Sequence, residues 1–406
     1  MDDSRVIILT GVRRSGKSTL LKQIMQETKT WCYVNFEDER LLQFKAQDFE
    51  QLNEALIESY GNVQTYFFDE IQNIDKFETF VRRLQDEGKK IIITGSNAVL
   101  LSKEFGTRLT GRYKSFEVYP FSFNEFLKFR NIPESKDNFI HTEKRVEVIS
   151  LFAEYLSNGG LPEYLKNHDK EYIRTLFENI IYKDIITRYS IRGERAVKEL
   201  VSLLATNISS PFTYNALKNS LGLSNAITVK DYISHLQNAY VFFELRKHSP
   251  SLKLQLSAPR KVYLIDSAIH QVTGANYSPN KGKILENTVF IELKRRNKEI
   301  YYFADKHECD FVIKEGTEIV AAIQACYALD EVNKEREING LIEAMEKFKL
   351  REGTILTFEQ TEEIIVQNNK IRILPVYRWI MDTTENSTNK STKNTKKLGL
   401  VNSLSP

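Results

Sequence analysis

The chain has 406 residues, 41% of them hydrophobic and 27% charged, and its 57 basic and 54 acidic side chains leave a formal net charge of +3. At roughly 100–200 residues per domain, this predicts two to four packed domains and excludes global disorder. Three cysteines, Cys32, Cys309 and Cys326, are too few and too scattered for a disulfide framework or a zinc module. No apolar run approaches the roughly 18 residues of a membrane helix, and no basic-then-apolar leader opens the chain, so a cytoplasmic protein without a membrane partner is expected.

In chain order, apolar runs at Val6–Thr10, Trp31–Phe36, Thr65–Phe68, Ile91–Thr94 and Ser115–Val118 read as strands separated by helical stretches. Near-continuous apolar strands alternating with helices predict an α/β domain over 1–130, with a parallel sheet covered on both faces. A polar connector carrying Pro133 follows, then amphipathic helices at Arg145–Ser157 and Lys170–Arg188, with a stop at Gly159-Gly160-Leu161-Pro162.

A short helix (Thr213–Ser220), a turn (Leu221-Gly222-Leu223) and a longer helix (Ser224–Tyr240), with Ser224 as its cap, come next. Strand pieces at Val241–Leu245 and Lys261–Ile265 flank Ser249–Pro259. This is the outline of a winged helix, and it makes 131–265 a helical and winged-helix-like domain. Residues 266–382 read as a small α/β unit: helix Ile284–Arg295, strands near Ile300–Phe303, Cys309–Ile313 and Ile319–Ala325, helix Lys334–Phe348 and two terminal strands. The Ser, Thr, Asn and Lys-rich stretch 383–406 reads as a disordered tail.

The chemistry concentrates near the N-terminus. Gly11-Val12-Arg13-Arg14-Ser15-Gly16-Lys17-Ser18 fits G-x-x-x-x-G-K-[ST] between a strand and a helix beginning at Thr19. Glycines let backbone amides curl toward phosphate oxygens, and the helix N-terminus adds free N–H groups and its dipole. Lys17 offers a charge to the β/γ-phosphates and Ser18 a hydroxyl to Mg²⁺. Thr65–Phe68 ends in Asp69-Glu70: Asp69 would support the Mg²⁺ and Glu70 would polarise water as general base. Ser96 and Asn97 end another strand, where they could reach the γ-phosphate or the lytic water. Arg108 and Arg112 are candidate transition-state guanidiniums, in the same or a neighbouring subunit, which would make a homo-oligomer. Arg13 and Arg14 lie inside the loop, as candidates for contact with phosphate or a partner. ATP is expected rather than GTP, because no Asn-Lys-x-Asp guanine reader is present.

These residues, with Asn35-Phe36-Glu37-Asp38-Glu39-Arg40, Leu109-Thr110-Gly111-Arg112, Gly159-Gly160-Leu161-Pro162-Glu163 and Lys183-Asp184-Ile185, occur in an order that resembles prokaryotic AAA-type ATPases fused to a C-terminal domain of unknown function. The resemblance runs from about Val6 to Trp379. It implies an additional-strand P-loop fold with a catalytic Glu after the Walker B Asp, a winged-helix-like middle and a PD-(D/E)XK nuclease-like end. Members usually carry a helical segment before the first strand, and this chain begins only a few residues ahead of it.

A nuclease centre of that type needs a helix Glu, an Asp and a Glu-x-Lys strand motif. Glu286 and Asp310 fit the first two roles. The third falls on Ala322-Ile323-Gln324, which lacks the carboxylate, and Gln324 cannot supply the charge. A degenerate centre without nuclease activity is therefore expected, unless Glu308 or Glu318 substitutes. Residues 183–261 hold 12 basic and 5 acidic side chains, net +7, whereas 262–382 hold 16 and 20, net −4. DNA or RNA is thus expected to dock on the basic middle, through Lys230, Arg246, Lys247, Lys253, Arg260 and Lys261, with little sequence preference. The reading is an ATP-hydrolysing switch whose later modules act on nucleic acid or a protein partner. The alternatives are an ATP-holding regulatory or nucleic-acid-binding module with little turnover, and an ATP-gated nuclease.

Overall fold

The computed structural model of the chain describes residues 5–97, 111–133, 141–273 and 281–382. Its N-terminal part runs β1 (Val6–Thr10), α1 (Lys17–Gln26), β2 (Trp31–Asn35), α2 (Phe49–Tyr60), β3 (Thr65–Asp69), α3 (Phe77–Asp86), β4 (Lys90–Gly95) and β5 (Tyr113–Glu117). All five strands are parallel, in the order β2-β3-β4-β1-β5. Strand β4 thus lies between the strand that leads into the phosphate loop and the strand that ends in Asp69. Alternate side chains face opposite layers, as the pleat requires. Val6, Ile8, Phe68, Ile91 and Ile93 pack under α2 and α3, while Leu9, Phe67 and Ile92 pack with Leu21 and Met25 of α1. Every residue of β3 is buried, which explains its unbroken apolar sequence.

The chain continues through α4 (Phe123–Phe129), α5 (Thr142–Asn158), α6 (Pro162–Asn167) and α7 (Lys170–Asn179). Ser122 and Glu125 form a capping box at the start of α4, with Ser122 N–H donating to Glu125 Oε2 at 2.7 Å. The single helix expected over 170–188 is instead α7 followed by a π-helical segment, Ile180–Thr187. Next come α8 (Glu194–Thr206), β6 (Pro211–Phe212), α9 (Tyr214–Ser220), α10 (Ala226–Asn238), β7 (Phe242–Arg246), α11 (Leu252–Ser257), β8 (Arg260–Leu264) and α12 (Ser267–Thr273). Strands β6, β8 and β7 form a three-stranded antiparallel sheet in that order. The cap of α10 is Asn225, whose Oδ1 accepts from Ile227 N–H at 2.8 Å, and not Ser224.

The last part runs α13 (Lys281–Arg295), β9 (Glu299–Ala304), β10 (Glu308–Glu315), β11 (Glu318–Ala325), α14 (Lys334–Phe348), β12 (Glu352–Thr357), β13 (Glu362–Val366), β14 (Asn369–Pro375) and α15 (Val376–Asp382). Three strands follow α14 where two were expected. The mixed six-stranded sheet has the order β13-β14-β12-β11-β10-β9. One hydrophobic core joins these parts, reaching from Val12 through Phe123, Phe152, Leu200, Ile233, Tyr263 and Phe290 to Tyr377 and Ile380. Helix α4 therefore packs with the later elements, although it falls within 1–130.

Candidate nucleotide site and the C-terminal carboxylate cluster

The phosphate loop turns between β1 and α1 by left-handed backbone at Gly11, Arg14 and Gly16. Gly11 has φ +146, and a Cβ there would stand 2.1 Å from the carbonyl oxygen of Val118, so the loop requires glycine at this point. Lys17 is buried, and its Nζ donates to the carbonyls of Gly11 at 3.1 Å and Val12 at 3.0 Å. Glu70 Oε1 lies 3.8 Å from the same Nζ. Burial pushes the Lys17 ammonium below its ordinary value, against the pull of Glu70. Burial also pushes Glu70 upward, but Lys17, a hydrogen bond from Gln72 and Arg13 outweigh it and hold the carboxyl below its usual range.

Asp69 is fixed from three sides. Ser18 Oγ donates to its Oδ1 at 3.1 Å, Tyr33 OH donates to its Oδ2 at 3.2 Å, and Thr94 Oγ1 donates to its Oδ1. Glu70 N–H donates to Thr94 Oγ1 at 3.0 Å, and Glu70 itself has φ +52. A non-glycine residue in that region is uncommon, and here it turns the second acid of the pair toward Lys17. Ser96 is buried beside Glu70. Asn97 is also buried, but its Nδ2 donates to Tyr189 OH at 3.4 Å, across to the helical part. Ser18 and Asp69, side by side at the helix N-terminus, fit the protein share of a Mg²⁺ shell, because this ion keeps several waters and phosphate oxygens.

A cleft of about 670 Å³ opens in front of the loop. Arg14, Lys17, Ser18, Thr19 and Glu70 line one wall. Lys166, Tyr172 and Lys183, from α6, α7 and the π segment, line the other. Arg13 also borders the cleft, but its guanidinium is held elsewhere: Nε donates to Asp184 Oδ2 at 3.0 Å, Nη2 to Asp184 Oδ1 at 3.2 Å, and Nη1 to Glu37. Arg112 does not reach this cleft in its own chain. It precedes β5, whose Tyr113 pairs with Val6 at the opposite end of β1 from the loop, and its Nη1 lies 2.7 Å from Asp86 Oδ1. Arg108 lies outside the described residues.

The residues assigned to the nuclease-like centre do come together. A bulge in β10 between Cys309 and Val312 turns Asp310 toward α13, and Asp310 N–H donates to Gln324 Oε1 at 3.1 Å. Ala322, where the missing carboxylate was expected, instead packs in the core under α14. Gln324 is therefore the residue that faces Asp310. A positive charge among these residues comes from Lys261 on β8, whose Nζ lies 3.0 Å from Glu286 Oε1, 2.8 Å from Asp310 Oδ1 and 2.7 Å from Glu308 Oε1. Glu318 begins β11 and is exposed.

Lys261 and Arg260 were expected on a solvated basic wing, yet both are buried, Arg260 beside Glu244 and over the ring of Tyr214. Burial pushes the Glu286 carboxyl up to about 8, and Asp310 adds to this against Lys261. Among the described residues, no group of three or more His, Cys, Asp or Glu side chains is arranged to hold a metal.

A parallel sheet with a glycine-rich loop, a buried lysine and an Asp-Glu pair at its carboxyl strand ends defines a P-loop nucleotide-binding protein. The family described as an AAA domain matches residues 3–127, and a domain of unknown function (DUF8612) matches residues 149–277. The uncharacterized protein MJ1544 of Methanocaldococcus jannaschii is 36% identical over 93% of this chain and 88% of its own length. An uncharacterized protein of Haemophilus influenzae is 30% identical over 94% of this chain and 95% of its own. The chain belongs to the family of these proteins, and its own N-terminal part matches the AAA domain.

Among solved structures, yeast Hsp104 in its casein complex is similar at 13% identity and a TM-score of 0.29, over 62% of this chain and 55% of that one. At that score the likeness carries no functional argument. No described helix is long and apolar enough to cross a membrane.

Proposed function

We propose that the chain binds ATP in the cleft before α1 and hydrolyses it, and that the later elements read the state of that site. The observation that carries this reading is the convergence of Lys17 and Ser18 of the P-loop and Glu70 of the β3 end on a single cleft, with Asp69 hydrogen-bonded to Ser18 behind it. When bound, Mg²⁺ offsets charge on the phosphate oxygens; Ser18 and Asp69 are the residues that would hold it. Lys17 has donors within reach of the phosphate loop's concave face. Glu70, kept ionised by Lys17, is the base that orients and deprotonates a water. Gln72, which donates to Glu70 Oε2 at 2.5 Å, fixes the rotamer of that base. Tyr33 and Thr94 do the same for Asp69.

Readout follows from two connections. Arg13 leaves the phosphate loop for Asp184, and Asn97 leaves β4 for Tyr189. Tyr189 also accepts from Asn238 Nδ2 at 3.2 Å and stacks on His235, with ring centroids 3.6 Å apart. Both of these partners belong to α10. We read α8, β6, α9, α10, β7 and β8 as a winged helix whose third helix, α10, is thereby joined to the nucleotide sheet. Lys230, Arg246 and Lys253 remain exposed for a polyanion, whereas Arg260 and Lys261 do not, and α11 at the wing exposes Leu252, Leu254 and Leu256. The middle part thus serves better as a reader of the nucleotide site than as a reader of base sequence.

Phosphate release from ATP by the full chain, alone and with DNA or RNA, tests the proposal. Glu70→Gln is expected to lower turnover by about 100-fold or more, the scale of a general base, while retaining nucleotide binding. Wild-type turnover no faster than that of Glu70→Gln would favour an ATP-holding module instead.

A further inference from the structure

The nuclease resemblance implies a divalent metal between Glu286 and Asp310, and the residues there do not fit one. A metal of that kind needs carboxylate oxygens left free to coordinate it. Here Lys261, 1% exposed, has its ammonium within 3.0 Å of Glu286, Asp310 and Glu308. An ammonium has three donors, and three carboxylates surround this one. The second oxygen of Asp310 accepts from Ala325 N–H at 3.0 Å, and Glu286 Oε1 also accepts from Tyr263 OH at 2.7 Å. The third position is the neutral Gln324, whose two ends are engaged by Asp310 N–H and by Glu337. A divalent ion would have to share its place with a buried like charge, at an energy that a low-dielectric site magnifies.

We infer that the Lys261 ammonium is the resident cation of this cluster, standing where a divalent metal would stand. Its origin gives it a second consequence. Lys261 lies on β8 of the three-stranded sheet, whereas Asp310 and Glu308 lie on β10 of the six-stranded sheet and Glu286 on α13. The cation therefore locks one sheet to the other without metal. Removing it frees the three carboxylates to close on a vacated cation position, and a divalent ion is expected to enter there.

Thermal unfolding of the full chain, without nucleotide and with or without millimolar Mn²⁺, tests this. The wild type is expected to show no Mn²⁺ shift that depends on Asp310. Lys261→Ala is expected to melt lower and to gain about 2–4 °C or more with Mn²⁺, a gain abolished in Lys261→Ala/Asp310→Asn. An Mn²⁺ shift in the wild type that Asp310→Asn removes would overturn the inference, as would a folded Lys261→Ala that gains no Asp310-dependent shift. Should Lys261→Ala fail to fold, Mn²⁺ titration calorimetry of the wild type against Asp310→Asn still decides, since metal bound through Asp310 contradicts a resident ammonium.

Discussion

Arg13 sits in the phosphate loop but forms a fork with Asp184, a carboxylate whose side chain is 3% exposed and which also lies 3.3 Å from Arg188 Nη2. Burial would lower the Arg13 pKa, yet Asp184 and Glu37 more than reverse this and hold the guanidinium firmly charged. Planar bidentate pairing of this kind is specific to arginine. Asp184→Ala leaves Arg13 and Arg188 without their shared counter-charge, and is expected to cost about 3 kcal/mol in urea unfolding. The Arg13→Ala/Asp184→Ala double variant should lose clearly less than the sum of the two single variants, with a coupling of about 2 kcal/mol. Additive losses would show that the fork does not join the loop to the helices. Sequence pattern alone places Arg13 in the loop and cannot aim it, because its partner is 171 residues away. The role of Lys261 is hidden in the sequence for the same reason: Arg260-Lys261 before an apolar run looks like a basic wing, while its partners Glu286 and Asp310 lie 25 and 49 residues further on.

At the scale of elements, the five N-terminal strands are legible to within about two residues, because each is a short apolar run bounded by polar or glycine-containing segments. The π-helical segment is not legible, since its apolar spacing over so few residues still matches an α-helix. The register of β11 is not legible either: the pairing of Phe311 with Ile323 decides that Gln324, and not Ala322, meets Asp310. Gly159-Gly160 reads as a helix stop, but its deeper role is contact. Gly160 N–H donates to Asp266 Oδ2 at 2.7 Å, and a Cβ on Gly160 would lie 2.1 Å from the carbonyl oxygen of Phe121. That neighbour is backbone leading into α4 and cannot swing aside. Gly160→Ala is therefore expected to cost about 2–3 kcal/mol, seen as a lowered melting temperature. A Gly160→Ala protein that melts with the wild type would mean that α4 can shift away from α5 without loss.

Across the whole molecule, Asp266 joins the turn after α5 to the start of α12, accepting from Gly160 N–H and, at 2.9 Å, from Ala268 N–H. Burial raises its pKa from 3.8 to about 6, against those two hydrogen bonds and Arg295. Below about pH 4 the carboxyl is protonated whether the chain is folded or not, and it adds no pH dependence. Between about pH 4 and 6 the unfolded chain releases the proton while the folded chain retains it, so stability falls as pH rises. Above about pH 6 both states are ionised and the effect is constant, at about 3 kcal/mol for a shift of this size. Asn in its place cannot ionise, although its amide meets the Gly160 N–H less well. Asp266→Asn is therefore expected to be less stable than wild type at about pH 4, with the gap narrowing or reversing by about pH 7. Denaturant unfolding at a series of pH values reads this difference, and a gap independent of pH would place the Asp266 proton outside the folding equilibrium.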